Sequence, residues 1–356
     1  MTPKQVLTIA FFCLLIALPV GLIINAQAQK TSTKSHDNKV ANKDSVASNY
    51  RISGPYTHKN LTIFLVHGKD RMPGKNFLTL QEALAQKKVR VYETKDVNEL
   101  TIKNFSNQDV YVQAGDIVRG GEQDRMISID FIVPPRSGRM PLAAFCVESG
   151  RWSKRGEEQA AYFSSSENFA ATKELKLAAK SDQSQDAVWE KVSTAQAKLT
   201  QNLSVNVVSA SSPSSYELAV ENSKVKETAA SYVNALNNIM RNKPDVIGFA
   251  FAINGHVNSA DIYASHALFG KLWPKLLKAT AVEAIAELDQ TAKAEPVVKE
   301  TIHAFLADSE RPQSKAKEVT PRVRVVTRED ETNAFFETQD RSQKDAWVHR
   351  NYIRKQ

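Results

Sequence analysis

Between residues 61 and 148, short apolar runs alternate with glycine, proline and asparagine breaks, a rhythm that belongs to strands. Leu61 to Val66 is rich in β-branched and aromatic residues and stops at His67-Gly68. Thr79 to Gln86 reads as a short helix leading into a strand from Val89 to Glu93. Further strands are expected at Leu100 to Phe105, Val110 to Gln113, Met126 to Val133 and Leu142 to Glu148. The tight spacing favours an antiparallel or mixed sheet over a parallel βαβ series.

Residues 150–182 are polar and serine-rich, a connection with no periodicity to read. Helical spacing follows. Val188, Trp189, Val192, Ala195 and Leu199 form a stripe on a helix from Gln185 to about Gln201. Val225, Ala229, Tyr232, Leu236 and Ile239 do the same on a longer helix expected from Pro213, with Ser212 as its cap. Val246 to Ile253 is almost wholly apolar, Asn254-Gly255 is a type I′ turn signal, and His256 to Tyr263 alternates. These are the marks of a hairpin whose first strand is buried on both faces. A helix from near Pro274 and closing strands at Arg322 to Val326 and Ala346 to Ile353 complete the pattern. The fold class is α+β, with a β-rich lobe at about 51–150 and a helical and hairpin lobe at about 183–356, read as one domain over 51–356.

The ends change the picture. Lys4, an apolar stretch over residues 6–24, and Ala26-Gln27-Ala28 have the layout of a secretory signal peptide cleaved after Ala28. Residues 29–50 are polar and read as a disordered leader. An exported, periplasmic or extracellular protein follows, with no stable membrane span once the signal is removed. Of two cysteines, Cys13 lies in the signal and Cys146 is left without a disulfide partner. Lysine and arginine number 47 against 39 acidic residues, and losing Lys4 reduces the net charge from +8 to +7. The basic residues are scattered, which disfavours nucleic-acid binding.

Candidate chemistry concentrates in Gly115 to Arg125 and in Cys146 to Trp152. Gly120 and Gly121 allow a tight turn or an anion nest, and Gln123 and Arg125 offer amide and guanidinium donors just after it. Arg151 adds a forked donor and Trp152 a flat face for a ring or sugar. The candidate ligand-binding set is therefore Gly120, Gly121, Gln123, Arg125, Arg151 and Trp152. Asp116, Asp124 and Glu148 are the candidate acid–base carboxylates, each of which could instead cap a turn or pair with an arginine. Cys146 shares a strand face with Glu148, and a small buried thiol is the more ordinary reading. No G-x-S-x-G, G-x-G-x-x-G, P-loop or zinc spacing occurs, so no cofactor and no metal is expected.

These blocks resemble the ARG and rhodanese-phosphatase-superfamily-associated protein domain family. The likeness rests on Leu78-Thr79-Leu80-Gln81-Glu82-Ala83-Leu84, Gly115 to Arg125, Pro134-Pro135-x-Ser137 and Cys146-Val147-Glu148-x-Gly150-Arg151-Trp152. Gln185-x-x-Val188-Trp189 and the Gly248 to Tyr263 hairpin extend it. The resemblance implies an α+β domain without an assigned reaction. The family's association with ADP-ribosylglycohydrolase and phosphatase-like proteins implies nucleotide-derived or phosphorylated ligands.

Three functions fit these observations. One is a binding or interaction module for a small anionic, nucleotide-like or sugar-containing ligand held by the polar turns. A second is a hydrolase or transferase on a nucleotide- or glycan-like substrate, which needs a carboxylate with a raised pKa and no ion-pair partner. The third is a purely structural envelope protein, in which the turn cluster is an internal ion-pair network. Its mark is Arg125 and Arg151 buried and paired, with no cavity beside them.

Overall fold

A computed structural model describes residues 50–292, 295–344 and 346–356. The signal and leader readings for 1–49 lie outside the described residues. Tyr50 is already buried and the first strand begins beside it.

One sheet joins the two ends of the chain. Strands β1 (Arg51–His58) and β2 (Leu61–His67) pair with the hairpin β12 (Val246–Ile253) and β13 (His256–Tyr263). β17 (Ala346–Arg354), β16 (Asn333–Asp340), β15 (Val323–Glu329) and β14 (Ser314–Glu318) then extend the sheet, every pair antiparallel. Asn254 and Gly255 both have positive φ, and β12 is buried throughout, as the sequence pattern predicts. The two edges differ from the interior. β14 is exposed along its length, and β1 carries Pro55 and a register shift between Ser53 and Tyr56.

The middle of the chain closes into a six-stranded antiparallel barrel. Its order is β10 (Met140–Cys146), β5 (Glu99–Asn104), β4 (Val89–Asp96), β11 (Tyr162–Phe169), β7 (Asp116–Gly120) and β8 (Arg125–Ile127). A small sheet of β3 (Leu78–Thr79), β6 (Val110–Val112) and β9 (Phe131–Val133) supplies the one parallel pair described, β3 with β6. Helix α1 (Leu80–Ala85) starts on a full capping box between Thr79 and Glu82. The mixture of helices with mixed and antiparallel sheets is the expected α+β class.

The helices cover the large sheet on both faces. Phe249 stacks on Phe269 and meets Trp273 edge-on, both from α6 (His266–Ala286). Tyr352 meets Phe305 of α7 (Lys299–Ser309). Phe249 lies opposite Asp261, and Asp261 opposite Asn351, so these three share the α6 face. Tyr352 follows Asn351 and points to the other face. No described helix is long and apolar enough to cross a membrane.

Four elements depart from the sequence pattern. The apolar run Met126 to Val133 is two strands in different sheets, β8 and β9, because Asp130 turns inward between them to accept from the Ala114 N–H. The featureless 150–182 segment contains β11, whose Phe163, Ser166 and Phe169 face inward among serines that mask the alternation. It also holds α2 (Lys173–Leu177) and a π-helical turn over Ala178–Asp182. The helix expected from Pro213 is broken into α4 (Tyr216–Val220) and α5 (Ser223–Leu236), because Asn222 caps a new start by accepting from Lys224 N. Ser215 rather than Ser212 caps α4. Pro274 sits inside α6, which starts two turns earlier on the Ser265 cap. β1, β7, β14, β16 and α7 also have no counterpart in that pattern.

Candidate functional site

The two glycine-punctuated segments do meet. Gly120 and Gly121 take φ of 118° and 57°, and a Cβ on Gly121 would fall 2.4 Å from the Phe163 ring. That turn joins β7 to β8 and folds Asp124 back, so that its Oδ1 accepts from Gly120 N at 3.1 Å. From the other segment, Glu148 Oε2 accepts from Asp124 N at 3.3 Å. Arg151 donates to the same Glu148 oxygen at 2.8 Å and approaches Asp124 at 3.5 Å. Arg155, which sequence reasoning passed over, grips both Asp124 oxygens at 3.0 and 3.2 Å.

The cluster widens from there. Arg155 also reaches Glu158 at 2.8 Å, and Arg119 reaches Glu158, Glu217 and Glu221. Ser212 donates to Glu148. Arg125 points into the barrel mouth, donating to Val97 O at 2.7 Å, Asp96 O at 3.2 Å and Glu93 at 3.3 Å. Its side chain is 1% exposed and that of Arg151 is 9% exposed. Gln123 is fully buried, with neither amide atom hydrogen-bonded. Trp152 stands apart at 55% exposed. Asp116 is not brought into this group; at the far end of β7 it pairs with Lys275 of α6 at 2.8 Å.

Six carboxylates (Glu93, Asp124, Glu148, Glu158, Glu217 and Glu221) thus share four guanidiniums (Arg119, Arg125, Arg151 and Arg155). Burial raises the Asp124 pKa against the pull of Arg155, and burial likewise raises that of Glu217. Burial would raise Glu148 too, but Arg151 and Ser212 outweigh it and lower it. Cys146 is buried, and burial pushes its thiol up to about 11, so it is no thiolate at neutral pH. A cleft of about 520 Å³ opens near the turn, lined by Tyr92, Glu93, Glu122, Arg139 and Tyr162, but not by Gln123, Arg125 or Arg151.

A second buried polar cluster was not anticipated. Asp130, from the segment between β8 and β9, faces His349 of β17, which in turn faces Asp261 of β13. His349 Nδ1 lies 2.7 Å from Asp130 Oδ2, and Nε2 lies 3.0 Å from Asp261 Oδ1. A ring with a carboxylate at each nitrogen donates twice only as imidazolium. Burial alone would lower its pKa; the two carboxylates outweigh burial and raise it. Burial would raise both acids, and His349 outweighs it, holding Asp130 and Asp261 below the ordinary range. Tyr111 and Thr338 donate to Asp130 Oδ2, while Ala114 N takes Oδ1, so neither oxygen is left without a partner.

This cluster borders a cavity of about 330 Å³ between the barrel and strands β14 to β16. Asp130, Thr338 and Ser128 line it, with Phe145 and Phe336 as apolar walls. Lys180, from the π-helical turn, and Lys317, from β14, also line it. Lys180 is enclosed by protein yet keeps a partly exposed surface. Its Nζ donates to Asn351 Oδ1 at 2.7 Å and rests 4.2 Å from the centre of the Phe336 ring. Burial pulls its pKa down to about 8, with Asp130 and Asp261 opposing. The signal in the sequence was a lone charge at inward positions of apolar strands: Asp130, Asp261 and His349. No group of three or more metal-ligating side chains suited to an ion occurs among the described residues.

The chain belongs to the ARG and Rhodanese-Phosphatase-superfamily-associated Protein domain family, whose model matches residues 49–353. No curated protein and no solved structure matches it.

Proposed function

We propose that the protein is an exported binding domain for a small anionic ligand, and that the ligand occupies the cavity beside Lys180. The supporting observation is the charge balance of that wall. His349 offsets one of the two buried carboxylates, Asp130 and Asp261, and the Lys180 ammonium that they favour offsets the other, which leaves Lys317 as the surplus cation on a partly apolar hollow. Lys317 has no ion-pair partner among the described residues. The arginine-rich turn cluster has the opposite balance, because its carboxylates outnumber its guanidiniums and each arginine is already engaged. An anion placed there would displace existing pairs and meet surplus negative charge. Gly120, Gly121, Gln123, Arg125 and Arg151 are better suited to holding the barrel mouth closed, and the exposed Trp152 to a surface contact.

Acid–base catalysis by Asp116, Asp124 or Glu148 draws no support from their settings. Each is held by a lysine or an arginine, whereas a general acid needs a raised pKa without such a partner. Export rests on the signal-like residues 1–28, and amino-terminal sequencing of the secreted protein should start at Gln29.

Oxalate or phosphate should raise the melting temperature of the folded protein, since a ligand binding only the native state stabilises it by mass action. The shift should vanish in the Lys180→Met, Lys317→Met double variant and persist in Arg151→Lys. A shift unchanged by the double variant, or lost only when Arg151 is altered, would place the ligand in the turn cluster instead.

A further inference from the structure

We propose that Lys180 captures carbonyl compounds that bear a carboxylate or phosphate, holding them as a reversible imine in the cavity between the barrel and strands β14 to β16. This rests on the reading of that cavity as an anion site and adds to it the chemical class of ligand. Four features of the wall carry it. Lys180 lines the cavity, its amine held between the Asn351 amide oxygen and the Phe336 ring. Lys317 stands on the same hollow as a second cation, able to take the ligand's anionic group while Lys180 takes its carbonyl. Ser128 and Thr338 also line the hollow, the Thr338 hydroxyl already donating to Asp130. Ile129, Phe145, Val325 and Phe336 supply apolar surface for a short carbon body.

The step balances without an oxidant or a further reactant. The neutral Lys180 amine donates its lone pair to the carbonyl carbon, forming a C–N bond as the C=O π electrons move to oxygen. Proton transfer from nitrogen to oxygen gives a carbinolamine. Loss of its hydroxyl with one proton, as water, leaves C=N, and uptake of a proton gives an iminium with the charge the ammonium carried before. An amine must be deprotonated to begin this, and an ordinary lysine rarely is at neutral pH. The charged groups around Lys180 set its balance: Asp130 and Asp261 favour the ammonium, while burial and Lys176 oppose it. The outcome, near 8, leaves a useful share of free amine.

The test uses glyoxylate, the smallest aldehyde that carries a carboxylate, with sodium borohydride to reduce any imine to a stable secondary amine. Peptide mapping of the full-length secreted protein should find one carboxymethyl group on Lys180, favoured over every other lysine by at least roughly tenfold. Lys176 and Lys317 serve as internal controls for indiscriminate labelling. Lys180→Arg should lose that adduct while keeping the wild-type circular dichroism. The wild-type map is decisive even if the variant fails to fold. Label spread evenly over surface lysines overturns the proposal. Oxalate, an anion without an electrophilic carbonyl of comparable reactivity, separates the two readings. If oxalate stabilises the protein but glyoxylate leaves Lys180 unlabelled, the imine fails and the anion site stands. If neither acts, the cavity reading falls with it.

Discussion

The two buried charge clusters of this protein contain similar ingredients and are organised in opposite ways. At the barrel mouth, Asp124, Glu148 and their neighbours are tied to Arg119, Arg125, Arg151 and Arg155, so every guanidinium already holds a carboxylate, although Arg125 Nε, Arg151 Nε and the Gln123 amide keep no partner among the described residues. Behind the barrel, Asp130 and Asp261 are balanced by His349 and Lys180, and Lys317 is left, among the described residues, as an unpaired cation beside open space. Perturbed pKa values occur in both, so perturbation by itself does not separate scaffold from site. What separates them is a cavity together with a charge that the protein has not already neutralised.

The contrast breaks if the second cluster proves dispensable to folding. His349→Leu would leave two carboxylates buried without their shared counter-charge, and urea denaturation at pH 6 should show a loss of about 4 kcal/mol. Arg125→Leu should cost somewhat less, about 3 kcal/mol, because it removes the counter-charge of buried Glu93 and the donor to two backbone carbonyls. That variant should still show the anion-induced melting shift, and losing it would return the ligand to the barrel mouth.

The pH dependence sharpens the contrast further. His349, raised above 6.5, contributes its full stabilisation below that pH and loses it as pH rises through the folded value. Asp130 and Asp261, depressed below 3.8, contribute above that pH and lose it as pH falls through their folded values. Stability from this cluster should therefore be greatest between about pH 4 and 6.5, and His349→Leu should abolish that maximum. Lys180→Met should abolish anion binding at a stability cost of only about 1 kcal/mol, measured by the same denaturation. Trp152→Ala is the mildest test, changing stability by less than about 0.5 kcal/mol. If it nevertheless removes anion binding, the exposed indole belongs to the site.

Legibility in the sequence followed how local the determinant was. The hairpin at Asn254-Gly255 and the α1 capping box are decided within a few residues, and both are where their signals put them. β11 was hidden because its inward positions are shared between phenylalanines and a serine, which leaves no hydrophobic alternation to count. The meeting of Asp124 with Glu148 and Arg151 could be expected, since two turns close together in sequence flank paired strands. Arg155, which with Arg119 decides that cluster's charge balance, sits in a stretch with no motif. The Asp130, His349 and Asp261 cluster depends on cross-strand register between segments up to 219 positions apart. Lys180 entered through a π-helical turn that no periodicity announces.

The large sheet, unlike the barrel, must end somewhere, and both of its borders are poor templates for another chain. β14 presents Lys315 and Lys317 in an exposed strand, while β1 is interrupted by Pro55 and an irregular register. A second molecule approaching either border would meet like charge or a missing donor instead of a continuous ladder. The same lysine that lines the cavity thereby helps guard the folded protein against fibril growth, and replacing both β14 lysines should make the protein more prone to seeded polymerisation in concentrated solution.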